Sequence, residues 1–207
     1  MRVLFANINR LLNSSVGLAP RGLLVAAALA LVLTYVVPLW NLTMFAPQYP
    51  DGLRLDIYSH ALSGGRNGQD VKEINVLNHY IGMRDLTTED FTEFKWMPFV
   101  IGALALLCLR AAVHGTGASL VDVTTLFVYF GAFSLWSFAY KLYQYGHTLS
   151  PTAAVRVPPF MPPVFGFKQI ANFQVYSYPQ AGTYAMVAVF VCLVAALALA
   201  WRGSRAA

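Results

Sequence analysis

The chain has 207 residues, 57% hydrophobic and 11% charged, with 14 lysines and arginines against 9 acids. Soluble domains carry roughly a quarter charged residues, so this composition excludes an ordinary soluble fold and points to an integral membrane protein. The net charge of +5 does not signal nucleic acid, because the basic residues are scattered and several flank apolar runs, as membrane topology requires.

Residues 1–21 carry Arg2, Arg10 and Arg21 and no acid, with Leu4, Phe5, Ile8, Leu11 and Leu12 at helical spacing. That pattern predicts an amphipathic helix on the cytoplasmic membrane surface. Residues 22–40 contain no charge and are long enough, at 1.5 Å per residue, to cross the hydrocarbon layer as a first membrane helix. A signal peptide is the rival reading; the length of the run and the lack of a small-x-small site in PLWNLTM favour a retained anchor.

Residues 41–95 form a charged island holding eight of the nine acids. Pro47, Pro50 and the pair Asp51-Gly52 predict a turn with a tight reversal, and Leu53, Leu55 and Ile57 alternate with polar neighbours as a half-buried strand does. SGGRNG at 63–68 reads as a flexible turn. Asp70 and Glu73 precede Ile74, Leu77 and Ile81 in a helix-start pattern, with Gly82 as the stop. Thr87 or Thr88, followed by Glu89 and Asp90, marks a second short helix.

Further membrane helices are expected at 96–113, 120–143 and 182–201, with a cytoplasmic tail at 202–207. Between them, residues 144–181 are rich in proline and aromatics, and PPFMPP at 158–163 predicts rigid extended backbone lying on the membrane surface. Lysine and arginine are denser at the termini and the short turn after 113 than in the two long loops, which places both loops outside and both termini in the cytoplasm. The expected fold class is therefore an all-α integral membrane protein, four transmembrane helices with a small mixed external cap.

Chemistry-bearing residues are few. Cys108 and Cys192 lie inside apolar runs and read as buried packing residues. None of the four histidines falls mid-membrane, which argues against haem b of the bis-histidine type. No G-x-S-x-G elbow or phosphate loop is present, and Asp85, Glu89, Asp90 and Glu93, which have the chemistry for acid and base work, read as a solvated helix face. Asp122, the sole acid within a predicted membrane helix, is shallow and reads as an interfacial or capping carboxylate rather than an ion path. Lys141 can reach the interface along its own stem.

On the external side, imidazole and thioether groups together suit copper. His79 and Met83 would share a face if their helix ran one turn further, and Met44 and His147 would complete a ligand set. The alternative is that the methionines pack on aromatics and that Pro47, Gln48, Tyr49, Pro50, Asn78, Tyr80 and Gly82 form a fixed interface platform.

The words PLWNLTMFAPQYPDGLRLDIY, INVLNHYIGM and the FTEF segment, within residues 35–105, resemble a family of small bacterial inner-membrane proteins encoded with accessory genes for nitrous oxide reductase, a periplasmic copper enzyme. The resemblance covers about a third of the chain and transfers a context rather than a mechanism. It implies a non-enzymatic accessory protein that helps assemble, or supplies copper to, a periplasmic or respiratory metalloenzyme. The alternative is a structural subunit of a larger membrane complex with no metal of its own. Either reading requires membrane or periplasmic protein partners.

Overall fold

The computed structural model describes residues 2–206. In chain order the elements are α1 (Arg2–Asn13), α2 (Leu18–Leu33), β1 (Trp40–Ala46), β2 (Tyr49–Ile57), β3 (Leu62–Gly64), α3 (Gln69–Tyr80), α4 (Glu93–His114), α5 (Gly117–His147), β4 (Gly166–Ile170), β5 (Phe173–Pro179) and α6 (Ala181–Ala206), with short 3-10 turns at Arg66–Gly68 and Thr88–Asp90. The chain divides into two compact units. One comprises Met1–Thr34, Pro98–Ala132 and Tyr184–Ala207; the other comprises Tyr35–Met97 and Phe133–Thr183.

In the first unit each helix buries one stripe at helical spacing: Leu24, Ala27 and Leu31 on α2, Ile101, Leu104, Ala105 and Cys108 on α4, Leu120, Val123 and Phe127 on α5, and Val189, Leu193 and Ala196 on α6. The opposite faces stay apolar, as with Phe99 at 79% exposure and Leu106 at 69%, which suits lipid rather than water. Among the described residues, three helices are long and apolar enough to cross a membrane: Glu93–His114, Gly117–His147 and Ala181–Arg205. Each runs past the ends expected from the sequence. The start of α2 is tied to the α4–α5 turn, where the Val16 N–H donates to the Gly115 carbonyl at 2.7 Å and Arg21 Nε donates to the Val16 carbonyl at 2.9 Å.

The apolar run at 22–40 is not one helix. α2 ends at Leu33 after 16 residues, where Thr34 caps it by donating its hydroxyl to the Leu31 carbonyl at 2.7 Å. Pro38 disfavours helix in the residue before it, and the Leu39 N–H is taken by the Ile57 carbonyl at 2.8 Å. The apolar run thus switches from helix to strand without any change in composition.

The all-α expectation is overturned in the second unit, which contains a five-stranded antiparallel sheet of order β3-β2-β1-β5-β4; the protein is mixed α/β. Both long loops contribute, 41–95 giving β1, β2 and β3 and 144–181 giving β4 and β5. The central strand β1 pairs β2 through Leu42↔Leu55 and β5 through Leu42↔Ser177. The reversal sits at Pro47-Gln48, not at Asp51-Gly52, which instead forms a bulge in β2 opposite Phe45. Residues 63–68, expected as a flexible turn, pair partly into the sheet as β3.

One sheet face packs on α3. Met44, Leu53, Leu55, Ile170, Phe173 and Val175 form a single apolar core with Ile74, Leu77 and Ile81. α3 then stops in a Schellman turn: Gly82, at φ 81°, donates its N–H to the His79 carbonyl, and Met83 donates to the Asn78 carbonyl at 2.8 Å. The proline-aromatic segment is strapped to this end of α3, since Ser150 N–H donates to the Gly82 carbonyl and Val155 N–H to that of Tyr80.

Candidate functional site

The joint between sheet and helix is built on two carboxylates of α3. Asp70, in the first turn of α3, has a side chain only 4% exposed; its Oδ2 accepts the Arg54 N–H at 2.8 Å and its Oδ1 accepts Arg66 Nε at 2.5 Å. Glu73, one turn further along α3, accepts the hydroxyl of Tyr49 and, at 2.9 Å, the side-chain amide of Gln69. On the other face of β2, Asp56 binds Arg54 Nε and the Asn41 amide, each at 2.8 Å. Asn75 completes the joint by exchanging two hydrogen bonds with the backbone of Leu86.

The Tyr49 bond, with a smaller contribution from Gln69, favours ionised Glu73 and holds its carboxyl below the ordinary range; the same bond raises Tyr49. A depressed carboxylate stabilises the fold fully above its unfolded value, and this support is lost as pH falls through the lower folded value. Tyr49→Phe removes the main cause, so its thermal midpoint is expected to fall less steeply than wild type between about pH 6 and pH 3. Identical slopes in the two proteins would show that the bond does not matter to Glu73.

A second cluster ties the start of α4 and the turn before it to α5. Ser137 Oγ donates to Glu93 Oε1 at 2.6 Å, and Lys141 Nζ donates to the Asp90 carbonyl at 2.8 Å and lies 3.9 Å from Glu93 Oε2. Lys141 is therefore engaged within the protein rather than simply reaching for the interface. Ser137 and Lys141 are four residues apart on one helix, the spacing of a serine–lysine dyad. However, the hydroxyl gives its proton to Glu93 and the amine is occupied by Asp90 and Glu93, so this is a brace rather than an activated nucleophile. The sequence holds no local signal for it, because the partners are 44 and 51 residues apart.

The candidate copper ligands separate by environment. Met44 is 8% exposed in the sheet core, and Met83 packs against the same core as the residue after the Schellman glycine. His79 is exposed near the end of α3; His147 is exposed at the end of α5, stacked on Tyr143 with Nδ1 against the Tyr143 carbonyl. Both thioethers are thus packing groups on one core, with the imidazoles exposed. Among the described residues, no group of three or more histidine, cysteine or acidic side chains gathers as a metal site.

The platform residues group around the hairpin and α3. Pro47, Gln48 and Pro50 are exposed at the β1–β2 turn, Tyr49 packs against the core and bonds to α3, and Asn78 and Gly82 are buried. Tyr80 is 49% exposed, with its carbonyl holding the strap.

The sheet face turned away from α3 has two halves. One is a polar network in which Thr43 donates to Asn41, Asn41 to Asp56, and Arg54 pairs with Asp56. The other is aromatic: Phe167 stacks on Tyr176 at 5.6 Å between ring centres, Tyr176 meets Phe45 edge-on at 5.5 Å, and Phe165 meets Tyr178 edge-on at 5.5 Å. Phe165 and Phe167 are 67% and 65% exposed, beside and within edge strand β4. Residues 144–181 are legible in the sequence as rich in aromatics, but the strands within them were missed. The alternation of Phe173, Val175 and Ser177 with Gln174, Tyr176 and Tyr178 was the available signal.

The fold and site define a class: a chain with three helices of membrane-spanning length and apolarity and a unit in which an antiparallel sheet packs on one helix. Comparison with protein families, with curated proteins and with solved structures returns no match.

Proposed function

We propose that this protein is a non-enzymatic membrane accessory protein whose sheet unit docks a protein partner, a periplasmic or respiratory metalloenzyme or a component of its assembly. The observation that carries this reading is the aromatic half of the sheet face, with Phe165 and Phe167 largely exposed at an edge strand. Exposed aromatics clustered beside a hydrogen-bonded polar patch have the composition of an interface centre and its rim. The proposed membrane is the bacterial inner membrane, a reading that rests on the family resemblance. The lysine and arginine distribution supports external loops and cytoplasmic termini. Both loops pair in one sheet, which requires them to share a side. On this topology α2 is a short fourth crossing, extended beyond its 16 residues by the turn before Pro38.

Copper supply is the form of this function suggested by the resemblance, with His79 and His147 as the accessible ligands. A structural subunit without metal is the second reading, favoured by the burial of Met44 and the packing of Met83 in an apolar core. One experiment addresses both. Protein purified from native membranes, with and without added copper, is analysed for stoichiometric partners and for metal, beside Phe167→Ser/Tyr176→Ser and His79→Ala/His147→Ala variants. Docking through the aromatic face predicts a partner lost only from the first variant; a partner retained there would refute it. Copper present in wild type and reduced in the histidine variant supports supply, and equal near-zero copper in all samples leaves the structural subunit.

A further inference from the structure

α4 and α5 form a hairpin whose closed end carries two opposite charges that do not meet. Arg110 and Asp122 line one cleft of about 90 Å³ with Ser119, walled by Leu107 and Leu126, yet no ion pair among the described residues joins them. Both side chains are exposed. Arg110 lies four residues before the end of α4 and Asp122 five residues after the start of α5. At 1.5 Å per residue these are depths of about 6 and 7.5 Å, which match the headgroup layer flanking the hydrocarbon of a bilayer.

An exposed cation and anion at that depth, flanked by leucines, are complementary to a ligand that carries both charges and a tail. We infer that this cleft binds the headgroup of a zwitterionic phospholipid with a primary amine, a phosphatidylethanolamine. The phosphate meets the Arg110 guanidinium, whose planar fork matches it, and the Ser119 hydroxyl. The ammonium gives its N–H donors to the Asp122 carboxylate. The acyl chains then run along Leu107 and Leu126. A trimethylammonium headgroup has no donor for Asp122, and a glycerol headgroup has no cation for it.

The test is native mass spectrometry of the full-length protein released from bicelles containing phosphatidylethanolamine, phosphatidylcholine and phosphatidylglycerol in equal amounts. Wild type is expected to retain phosphatidylethanolamine over each of the others by about fivefold, the effect of one partly exposed ion pair. Asp122→Asn should abolish the preference over phosphatidylcholine while keeping the helices intact by circular dichroism, and Arg110→Gln should lower retention of all three lipids. A preference that survives in Asp122→Asn, or equal retention of phosphatidylglycerol by wild type, would overturn the assignment. So would displacement of the lipid by free phosphoethanolamine at matched concentration, because the ligand would then be a soluble phosphate ester.

Discussion

Gly146→Ala is expected to destabilise the protein by about 2 kcal/mol, even though alanine is the better helix former by about 1 kcal/mol. A Cβ at residue 146 would lie 1.9 Å from the carbonyl oxygen of Phe160 and 2.9 Å from Pro162 Cδ. The obstruction is backbone, and it cannot easily yield, because Pro158, Pro159, Pro162 and Pro163 restrict φ on both sides. Moving it away also breaks the 3.0 Å bond from the Phe160 N–H to the Gly146 carbonyl, worth about 1 kcal/mol. Overpacking costs of up to about 3 kcal/mol plus this bond outweigh the propensity gain. Gly131, in the same helix, provides the control: a Cβ there meets nothing within 4 Å, so Gly131→Ala should be neutral or stabilising by up to about 1 kcal/mol. Thermal unfolding in detergent, followed by tryptophan fluorescence, separates the two. Equal midpoints would mean that the proline-aromatic segment does not bear on α5.

Asp70→Ala should cost about 3 kcal/mol. The substitution orphans the Arg54 N–H within the sheet–helix joint, a loss of about 1–3 kcal/mol, and removes a carboxylate from the first turn of α3, where it offsets the helix dipole by up to about 1 kcal/mol. The ion pair itself adds little, because the Arg66 side chain is 58% exposed. Asp70→Asn keeps an oxygen for the Arg54 N–H but turns an amide towards Arg66, so it should lose less. Proteolysis of residues 62–70 alongside the unfolding curve locates the effect; the prediction fails if Asp70→Ala unfolds with the wild-type midpoint.

Several elements were legible because their signals are local. The stripe Ile74, Leu77 and Ile81 with Asp70 before it and Gly82 after it specifies α3 within thirteen residues. Alternation at Leu53, Leu55 and Ile57 specifies part of β2. β1 was hidden because WNLTMFA continues an apolar run, and apolarity alone does not distinguish a lipid-facing helix from a strand buried on a core. β4 and β5 were hidden because the prolines ahead of them dominate the segment's composition, although no proline lies between Pro163 and Pro179 and the ladder begins at Gly166.

The copper residues show the same division between type and placement. Residue type made Met44, Met83, His79 and His147 a set, whereas burial puts Met44 in the core, Met83 half-buried against it and both imidazoles exposed. The aromatic face was legible only as an excess of phenylalanine and tyrosine, because Phe45 is brought beside the Phe167–Tyr176 pair by strand pairing across more than a hundred residues.

By itself, the sequence determined that this is an apolar chain with a charged island, with long apolar helices from about residue 96 onward and a capped helix that stops at Gly82. These follow from short-range rules: hydrophobic transfer, helical period, capping chemistry and the steric limits of glycine and proline. Only the tertiary structure decided that the two long loops form one sheet, that Glu93 and Lys141 brace α5, and that Arg110 and Asp122 share a cleft without pairing. Each of these depends on which distant segments satisfy one another's hydrogen bonds and charges. Backbone amides and carboxylates are much alike wherever they occur in a sequence, so their partners are fixed by the fold as a whole.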